Sequence, residues 1–296
     1  MKTFASGPQR SYYGKGDVIA YRLDRDGGAP SGRPPVFGAS VLMLLYGEAF
    51  WPTYTSGDNT ALVATDSMKN FIQRETMNFE GDDLEGYCRF LAAKFVDTYT
   101  QVEGIQVSAD EIPYEGIDAG GRVAFSPAGP ERARAQIEIG RRGIIDVRSG
   151  IRGFRLLRLG GSAFKGFVRD EYTTLPDLEN RPLHMWLDLE WQYLNSEAAF
   201  TRGATTRQVR RIVLDVFRTF ESGSIQQVIY QMGTRLLAEI PAMSEVHLEA
   251  NNRTWDTIAE KGDSLGVYTD PRPPYGCLGL VMRRDIDYGP NLHPRS

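Results

Sequence analysis

Apolar residues recur three and four positions apart in two stretches of the chain, a spacing that places them on one face of a helix. The first stretch runs from Leu84 to Val102 and the second from Ile225 to Met243. A shift of 141 positions superimposes the two stretches and also pairs Phe79 with Phe220. A strand-like segment follows each helix, "GIQVSADE" in the first case and "EVHLEANN" in the second. The pattern therefore predicts an internal repeat.

Alternating apolar and polar residues, typical of strands with one buried face, occur outside these helices. Val18 to Leu23 alternates in the first half, and Leu183 to Gln192 alternates in the second. Each half is therefore predicted to contain two strands, two helices and two closing strands, the closing pairs lying near 105–127 and 243–283. This order favours an α+β fold, with an antiparallel β-sheet and helix pairs packed on one face.

The predicted repeats span residues 1–142 and 143–296. Two such halves could form one long curved sheet, whose exposed edge strands would need to be covered. Closure into a barrel with another subunit would hide those edges.

Composition, charge and the length of apolar runs argue against nucleic-acid and membrane partners. The 296 residues are 41% hydrophobic and carry a formal net charge of -4, which gives no sign of a nucleic-acid partner. The arginines of 132–158 are interrupted by acidic residues and glycines, which is typical of a solvated strand face; whether that face belongs to a barrel or to a subunit contact stays open. The longest apolar run, 36–46, is too short to span a bilayer, so no membrane partner is expected.

The cysteines and histidines give no sign of a metal site or a disulfide framework. Cys88 falls on the apolar helix face and is expected to be a buried free thiol, and Cys277 lies far from it. His184, His247 and His293 are isolated, so no metal site is expected. The N-terminus lacks a signal-peptide pattern and the C-terminus lacks a peroxisomal tripeptide, so we expect a cytoplasmic location.

The stretch "YTSGDNTALVATDSMKN" at 54–70 contains an unexplained pair. Asp58 to Thr60 are good turn and cap residues. Thr65 and Asp66 then stand side by side before the apolar run that begins at Met68. Capping explains only one of these two polar groups, so the pair is predicted to have a second role.

Five stretches, in order along the chain, resemble the urate oxidase (uricase) family of tunnelling-fold (T-fold) proteins. They are "YGKGDV" at 13–18, "YTSGDNTALVATDSMKN" at 54–70, "FKGFVRDEYTTLPDLENR" at 164–181, "SIQQVIYQM" at 224–232 and "DPRPPYG" at 270–276. The resemblance covers nearly the whole chain. It implies a tandem duplicated T-fold whose barrel is closed by oligomerisation.

The resemblance also implies an activity. Urate, O2 and water would become 5-hydroxyisourate and hydrogen peroxide, with O2 as co-substrate and no cofactor. The expected partners are urate, O2 and further copies of the chain in a homotetramer. Because the active sites of the family lie at subunit interfaces, a lone chain is expected to be inactive.

Urate is flat, anionic and rich in carbonyls, so its site should offer an aromatic face, a planar cation and an amide. Phe164 can stack on the ring, Arg181 can donate a fork of hydrogen bonds, and Gln226 can read a complementary edge. From the residues alone, Phe164 could be core, Arg181 could pair with an acidic residue at 177–179, and Gln226 could be an ordinary first-turn residue. The resemblance implies the substrate-binding set Thr65, Asp66, Phe164, Arg181, Ile225, Gln226 and Asn251.

Urate must lose a second proton before it can reduce O2, so the site needs a base. The resemblance implies a relay in which the Thr65 hydroxyl passes the proton to Lys15, whose neutral amine is favoured by burial or by a nearby cation. Asp66 would offer its backbone N–H to the purine at a helix start, and Asn251 would hold O2 or water. From the residues alone, a solvated lysine just before a strand is the favoured interpretation of Lys15.

The chain departs from the family pattern at Arg253, where a relay histidine is usual. Arginine stays protonated in proteins, so we expect Arg253 to act as a fixed charge that favours the neutral amine of Lys15. His247 or a water in the histidine's place, and Asn252 as a competitor of Asn251, stay open. So do two other functions: a different purine or pterin enzyme on the T-fold, and a non-catalytic purine-binding homologue.

Overall fold

A computed structural model describes residues 11–25, 34–117, 123–262 and 265–284. The chain divides into two compact units, Met1–Ser149 and Gly150–Ser296. The expectations about His293, the N-terminal signal and the C-terminal tripeptide lie outside the described residues. The repeat boundary after residue 142 stays a prediction.

The described elements follow the order strand, strand, helices and strands in each unit. The strands are β1 (Tyr13–Leu23), β2 (Val36–Tyr46), β3 (Gly104–Glu111), β4 (Tyr114–Ile117), β5 (Ala124–Pro127), β6 (Arg132–Gly140), β7 (Gly143–Arg158), β8 (Leu183–Tyr193), β9 (Met243–Asn252), β10 (Thr257–Lys261), β11 (Leu265–Tyr268) and β12 (Gly276–Arg283). The helices are α1 (Trp51–Thr55), α2 (Thr65–Thr76), α3 (Leu84–Thr98), α4 (Glu197–Phe200), α5 (Thr206–Thr219) and α6 (Ile225–Glu239), and a 3-10 turn at Glu48–Phe50 precedes α1.

The main sheet of the first unit has the order β1-β2-β3-β6, and these neighbours are antiparallel. One row of paired residues crosses all four strands, from Val18 through Val41 and Ala109 to Ala135, and every side chain in it is buried. Helix α2 packs against β1, and α3 packs against β3 and β6. Cys88 of α3 is a buried free thiol, as predicted.

The second unit has the strand order β7-β8-β9-β12, in which β8, β9 and β12 are antiparallel. The alternation predicted for β8 is confirmed, because alternate residues from Leu183 to Trp191 are at most 3% exposed. These side chains share a core with α5 and α6. The residues between them, including His184 and Trp186, lie on the other face of the sheet.

The two long helices end in the same way. The predicted apolar face continued to Val102 and Met243, but α3 ends at Thr98 and α6 at Glu239. In each case the chain leaves the helix through a similar backbone conformation and makes a tight turn, closed by Val102 N–H to Tyr99 O in one unit and Met243 N–H to Ile240 O in the other, both 3.0 Å. The apolar spacing therefore describes the buried turn as well as the helix.

One strand prediction was wrong. The second closing strand of the first half was expected within 105–127, but the partner of β3 is β6, Arg132–Gly140. Residues 114–127 instead supply β4 and β5, a separate two-stranded sheet. The arginines made this segment look like a solvated face, so β6 was not predicted. Ala135 and Ile137 are nevertheless fully buried within it.

The predicted α+β class with a large antiparallel sheet is confirmed. Barrel closure by oligomerisation stays a prediction. Among the described residues, no helix has the length and apolar character needed to cross a membrane.

Candidate active site

Helix α2 begins without a side-chain cap. Its N-cap residue is Ala64, whose carbonyl accepts the first helical bond, from Met68 N–H at 3.2 Å. The N–H groups of Thr65 and Asp66 therefore precede the helical bonding pattern and are available to a ligand. By contrast, side chains cap the other long helices α3, α5 and α6, and the capping residues are Asp83, Thr205 and Ser224.

The two polar residues at this helix start differ in what they can offer. The Asp66 carboxylate accepts hydrogen bonds from Lys69 at 2.6 Å and Asn70 at 2.9 Å, so it is engaged within α2. The hydrogen bond and charge of Lys69 lower the pKa of Asp66, and the charge of Lys15 adds to this effect. Thr65, the residue before Asp66, is half-buried. Upstream, Asp58 accepts a bond from Thr60 N–H at 3.0 Å, which confirms the predicted turn.

Strand β1 carries Lys15 towards the start of α2. Tyr13 and Lys15 lie two residues apart and so share a face of the strand. The Tyr13 hydroxyl accepts a hydrogen bond from Val63 N–H at 3.0 Å, two residues before Thr65. Burial raises the pKa of Tyr13 to about 12. Lys15 is half-buried within β1 rather than solvated before it.

The first glycine of "YGKGDV", Gly14, is required for steric reasons. A Cβ on Gly14 would lie 1.9 Å from the carbonyl oxygen of Met43 on β2, so only glycine allows this approach. After Lys15 the pairing of β1 with β2 shifts register, and Asp17 adopts a positive φ of 53°. This bulge lies directly after Lys15, a position where bulges often re-aim side chains.

In the second unit, Phe164 and Arg181 are brought together by the segment between β7 and β8. Phe164 and Leu178 exchange two backbone hydrogen bonds of 2.8 and 2.9 Å, and Arg181 N–H donates to Ser162 O at 2.9 Å. The Arg181 guanidinium carbon lies 5.4 Å from the Phe164 ring centroid. Phe164 is half-buried and stacks on Phe167 at 5.0 Å, so it is a partly open aromatic surface rather than core.

The Arg181 guanidinium is not used by the acidic residues that follow Phe164. Asp177 pairs with Arg169 at 3.2 Å, and Glu179 pairs with Lys165 at 2.6 Å. The Arg181 Nε atom is buried with no hydrogen-bond partner within the described chain. Burial also lowers the pKa of Arg181. Among the described residues, then, the ion pair considered for Arg181 is not formed.

At the start of α6, the Gln226 side chain has no hydrogen-bond partner among the described residues. Ser224 caps the helix by accepting from Gln227 N–H at 3.2 Å, and the Gln227 side chain accepts from Gly223 N–H at 2.8 Å. Gln227 therefore completes the cap, and the side chain of Gln226 is exposed in the first turn. Ile225 is only 3% exposed and packs in the core, so it can offer a ligand its backbone N–H rather than its side chain.

The end of β9 places Asn251 and Arg253 on the sheet face opposite the helices. Asn251 pairs with Trp186 on β8, whereas Asn252 pairs with the fully buried Met185 and so faces the helices. The two asparagines are thereby distinguished by face. His247 is exposed and lies six residues before Arg253, about 20 Å along the strand.

Arg253 is held between two aromatic rings. Its guanidinium carbon lies 4.0 Å from the Trp186 ring centroid and 3.9 Å from that of Tyr275. Its backbone N–H donates to His184 O at 3.1 Å, and its Nε is buried without a partner in the described part of the chain. Burial, followed by the charge of Arg155, lowers the pKa of His184. The two rings and the backbone bond therefore fix the position of Arg253.

Two groups of the expected residues are assembled, one in each unit. Thr65 and Asp66 open α2, which packs against β1, the strand of Lys15, and the charge of Lys15 reaches Asp66. In the second unit, Arg181 lies two residues before the start of β8. Because β8 and β9 are antiparallel, the start of β8 lies beside the end of β9. The connection from α6 to β9 is short, so the start of α6 with Ile225 and Gln226 lies at that same end.

Sequence reasoning did not single out Tyr13, Trp186 or Tyr275 as site residues. Tyr13 and Tyr275 stand inside motifs that were recognised, and the two-residue spacing of Tyr13 from Lys15 was the available signal. Nothing in the sequence marks Trp186 as the partner of Arg253. No group of three or more His, Cys, Asp or Glu side chains in the described ranges is arranged to hold a metal ion.

A family model described as Uricase matches residues 48–138 and 147–278. The chain belongs to the uricase family. The match includes every candidate residue except Lys15, which precedes it. The resemblance seen in the sequence is thus confirmed for the family.

The chain also matches individual proteins along most of its length. The chain is 39% identical over 300 residues to the Uric acid degradation bifunctional protein PucL of Bacillus subtilis, covering 92% of this chain and 61% of that protein. The chain thus spans about three fifths of the length of that bifunctional relative. It is 38% identical over 304 residues to the uricase of Haloferax volcanii, covering 93% of this chain and 99% of that one.

Solved structures of the family share the fold. The crystal structure of urate oxidase from Bacillus sp. TB-90 aligns with a TM-score of 0.84 at 37% identity, covering 92% of this chain and 99% of that chain. A uricase from Arthrobacter globiformis aligns with a TM-score of 0.82 at 25% identity over 99% of both chains. The fold predicted from the resemblance is therefore that of known urate oxidases.

Proposed function

We propose that this chain oxidises urate with O2 and water to 5-hydroxyisourate and hydrogen peroxide, with no cofactor. Membership of the uricase family supports this activity. The observation that carries it is the pair of Phe164 and Arg181, whose aromatic face and uncommitted guanidinium lie 5.4 Å apart. A planar, anionic heterocycle matches both groups.

Each binding residue has a defined task in this proposal. Phe164 stacks on the purine, Arg181 donates to a carbonyl oxygen and an adjacent ring nitrogen, and the free amide of Gln226 pairs with the complementary edge. The backbone N–H of Ile225 is a further donor at the same helix start. Asn251, on the open face of the sheet, holds O2 or water above the ring.

Proton removal falls to the group assembled in the first unit. Thr65 passes a proton from urate to the neutral amine of Lys15, while the N–H of Asp66 at the uncapped helix start binds the purine anion. Two electrons then pass from urate to O2, and water supplies the new hydroxyl group. Arg253, which cannot accept a proton, favours the neutral amine through its charge.

The two groups come from different copies of the chain in the proposed assembly. A homotetramer with active sites at subunit interfaces would bring Lys15, Thr65 and Asp66 of one copy to Phe164, Arg181 and Gln226 of another. A second candidate function, purine binding without catalysis, is favoured by one observation, the arginine at position 253.

The test is a urate assay on dialysed, chelator-treated protein with no added metal or flavin. Loss of urate's ultraviolet absorbance, O2 uptake and peroxide formation in equal amounts are expected. Binding of urate without O2 uptake would favour the non-catalytic function. Absence of binding would contradict the proposal, and activity that requires added metal or flavin would contradict its cofactor-free chemistry.

A matched pair of variants tests the site. Arg181→Gln should lower kcat/KM about 10- to 100-fold, because a charged hydrogen bond to the ligand is lost. Arg169→Gln is the control, since Arg169 lies in the same segment, stacks on Phe167 and pairs with the acidic Asp177. Equal effects of the two substitutions would contradict the role of Arg181.

A further inference from the structure

Arg158, the last residue of β7, joins three parts of the second unit. Its guanidinium donates to Phe217 O at 2.9 Å, Phe220 O at 2.5 Å, Gly161 O at 2.8 Å and Ser222 Oγ at 3.2 Å. Three of these four acceptors are backbone carbonyls, so the contact fixes the path of the chain. A planar fork with several donors suits this task, and lysine offers a single nitrogen.

The segments joined by Arg158 are those that lead into the candidate binding residues. Gly161 lies three residues before Phe164, and Ser222 lies four residues before Gln226. The segments also bond directly, through Ala163 N–H to Ser222 O at 2.7 Å and Ser222 N–H to Gly161 O at 3.0 Å. An open cleft of about 400 Å³ lies between them, lined in part by these residues and by Asn180.

The first unit contains a similar contact, made by an arginine at a different position of the repeat. Arg22 of β1 donates to Phe79 O and to Gly81 O, the latter at 3.1 Å. The shift of 141 positions maps Phe79 onto Phe220 and Gly81 onto Ser222, but it maps Arg22 onto Ala163 rather than onto Arg158. The segment held by Arg22 leads into α3, which carries none of the candidate site residues.

We infer that Arg158 is a positioning residue for the purine site, which it serves by holding the Phe164–Arg181 segment and the start of α6 in register. The inference rests on the proposed function. The similar contact of Arg22 in the first unit is expected to stabilise only the fold, so the chain carries its own control. Displacement of a binding group by about 1 Å is enough to cost roughly 100-fold in rate.

The experiment compares Arg158→Lys and Arg158→Met with Arg22→Lys and Arg22→Met in the full chain. Melting temperature, kcat and KM for urate, and the Kd of a xanthine-type competitive inhibitor are measured for each variant. All four are expected to melt earlier. Only the Arg158 variants should raise KM and the inhibitor Kd, about tenfold for Met and less for Lys, because the lysine ammonium can still meet one or two carbonyls.

Equal KM and inhibitor Kd in the Arg158 and Arg22 variants of matched melting temperature would overturn the inference. If Arg158→Met does not fold, Ser222→Ala removes a single bond of the contact and should raise the inhibitor Kd by a smaller factor. Amide hydrogen exchange gives a readout that needs no activity. Exchange at 161–164 and 220–226 should quicken in Arg158→Lys and stay unchanged in Arg22→Lys; no change in either would also overturn the inference.

This design separates the two proposals. Wild-type protein that neither binds nor oxidises urate would remove the proposed function, while the exchange data would still decide whether Arg158 holds the two segments together. Wild-type protein that oxidises urate, with an unchanged KM in Arg158→Lys and Arg158→Met, would remove the positioning role alone.

Discussion

The hydroxyl of Tyr13 accepts a hydrogen bond from the backbone N–H of Val63 at 3.0 Å. This bond ties the strand that carries Lys15 to the residue two positions before Thr65. The Tyr13 ring also packs edge-to-face on Phe50, with centroids 5.0 Å apart. The distance between the two members of the proposed relay therefore depends on a tyrosine that takes no part in the chemistry.

Tyr13→Phe should lower the free energy of unfolding by about 1 kcal/mol, since one partly buried hydrogen bond is lost. It should also lower kcat several-fold with little change in KM. Tyr54→Phe is the control, because the exposed Tyr54 hydroxyl bonds to Tyr12 O at 2.9 Å outside the relay. A kcat equal to that of Tyr54→Phe would contradict the positioning role.

The raised pKa of Tyr13 predicts a loss of folding stability at alkaline pH. Burial raises the pKa of Tyr13 to about 12, above its ordinary value of 10.0, so folding favours the protonated phenol. The stability that it contributes is present below pH 10 and is lost as the pH rises towards 12. Thermal melts from pH 9 to 12 should fall more steeply for wild type than for Tyr13→Phe; parallel curves would contradict this account.

Lys15→Met should lower kcat/KM at least 100-fold, the usual contribution of a general base. Lys15→Arg keeps the charge but cannot take up the proton, and it should lose a comparable amount of activity. Lys69→Met removes the exposed partner of Asp66 and serves as the control, with activity expected within about twofold of wild type. Full activity of Lys15→Arg would exclude Lys15 as the base.

Gln226 and Gln227 are neighbours with different predicted effects. Gln226→Ala should raise KM about 3- to 10-fold, through loss of a neutral hydrogen bond to the substrate, without changing the melting temperature. Gln227→Ala removes the bond to Gly223 N–H and should lower the melting temperature by about 2–4 °C with KM unchanged. Steady-state kinetics and thermal melts on both variants check this, and the reverse pattern would contradict it.

Arg253→Gln removes the cation held between Trp186 and Tyr275. In the proposed assembly Arg253 lies near Lys15, and a nearby positive charge favours a neutral amine, so loss of the charge should move the acidic limb of the pH–rate profile to higher pH. Arg272→Gln is the control, since Arg272 is exposed and pairs with Asp256 at 2.8 Å. An acidic limb at the same pH in wild type and Arg253→Gln would contradict the electrostatic role.

Glu85 of α3 predicts a pH-dependent stability in the first unit. It bonds to the Ser149 hydroxyl, and burial raises its pKa above the ordinary value of 4.5. The folded chain therefore binds this proton more tightly than the unfolded chain, and stability falls as the pH rises above 4.5. Glu85→Gln should match wild type near pH 4 and exceed it by about 1 kcal/mol at pH 7.

Urea titrations at several pH values and one protein concentration measure the Glu85 effect. The exposed Glu80→Gln is the control and should follow wild type throughout. A destabilised Glu85→Gln at pH 7 would show that the buried charge is compensated by its surroundings.

Local structure was predictable from the sequence because it follows from periodic burial. The spacing from Leu84 and from Ile225 predicted α3 and α6, and the alternation from Leu183 predicted β8. These patterns report which side of an element is buried, which is a property of neighbouring residues. The start of a helix at Thr65 was likewise visible, and the resemblance of five motifs led to the family.

Tertiary structure decided what depends on contacts between distant residues. It paired β3 with β6 rather than with 114–127, because register across a sheet is set by burial on both strands. It turned Asn251 to the sheet face opposite the helices and held Arg253 between two rings. The cap of α6 is local by contrast, since Ser224 and Gln227 stand three residues apart, at the spacing of a capping box.

The stretch around Thr65 shows both contributions. Its sequence determined a turn at Asp58 and a helix that starts with a hydroxyl and a carboxylate, since those are local preferences of polar residues. Only the fold left that helix uncapped at Ala64 and brought Lys15 to the same end through Tyr13. The bond between Asp66 and Lys69 is local, because the two residues lie three apart in one helix. A hydrogen bond between residues 50 positions apart, such as that from Val63 N–H to the Tyr13 hydroxyl, cannot be predicted from a local sequence pattern.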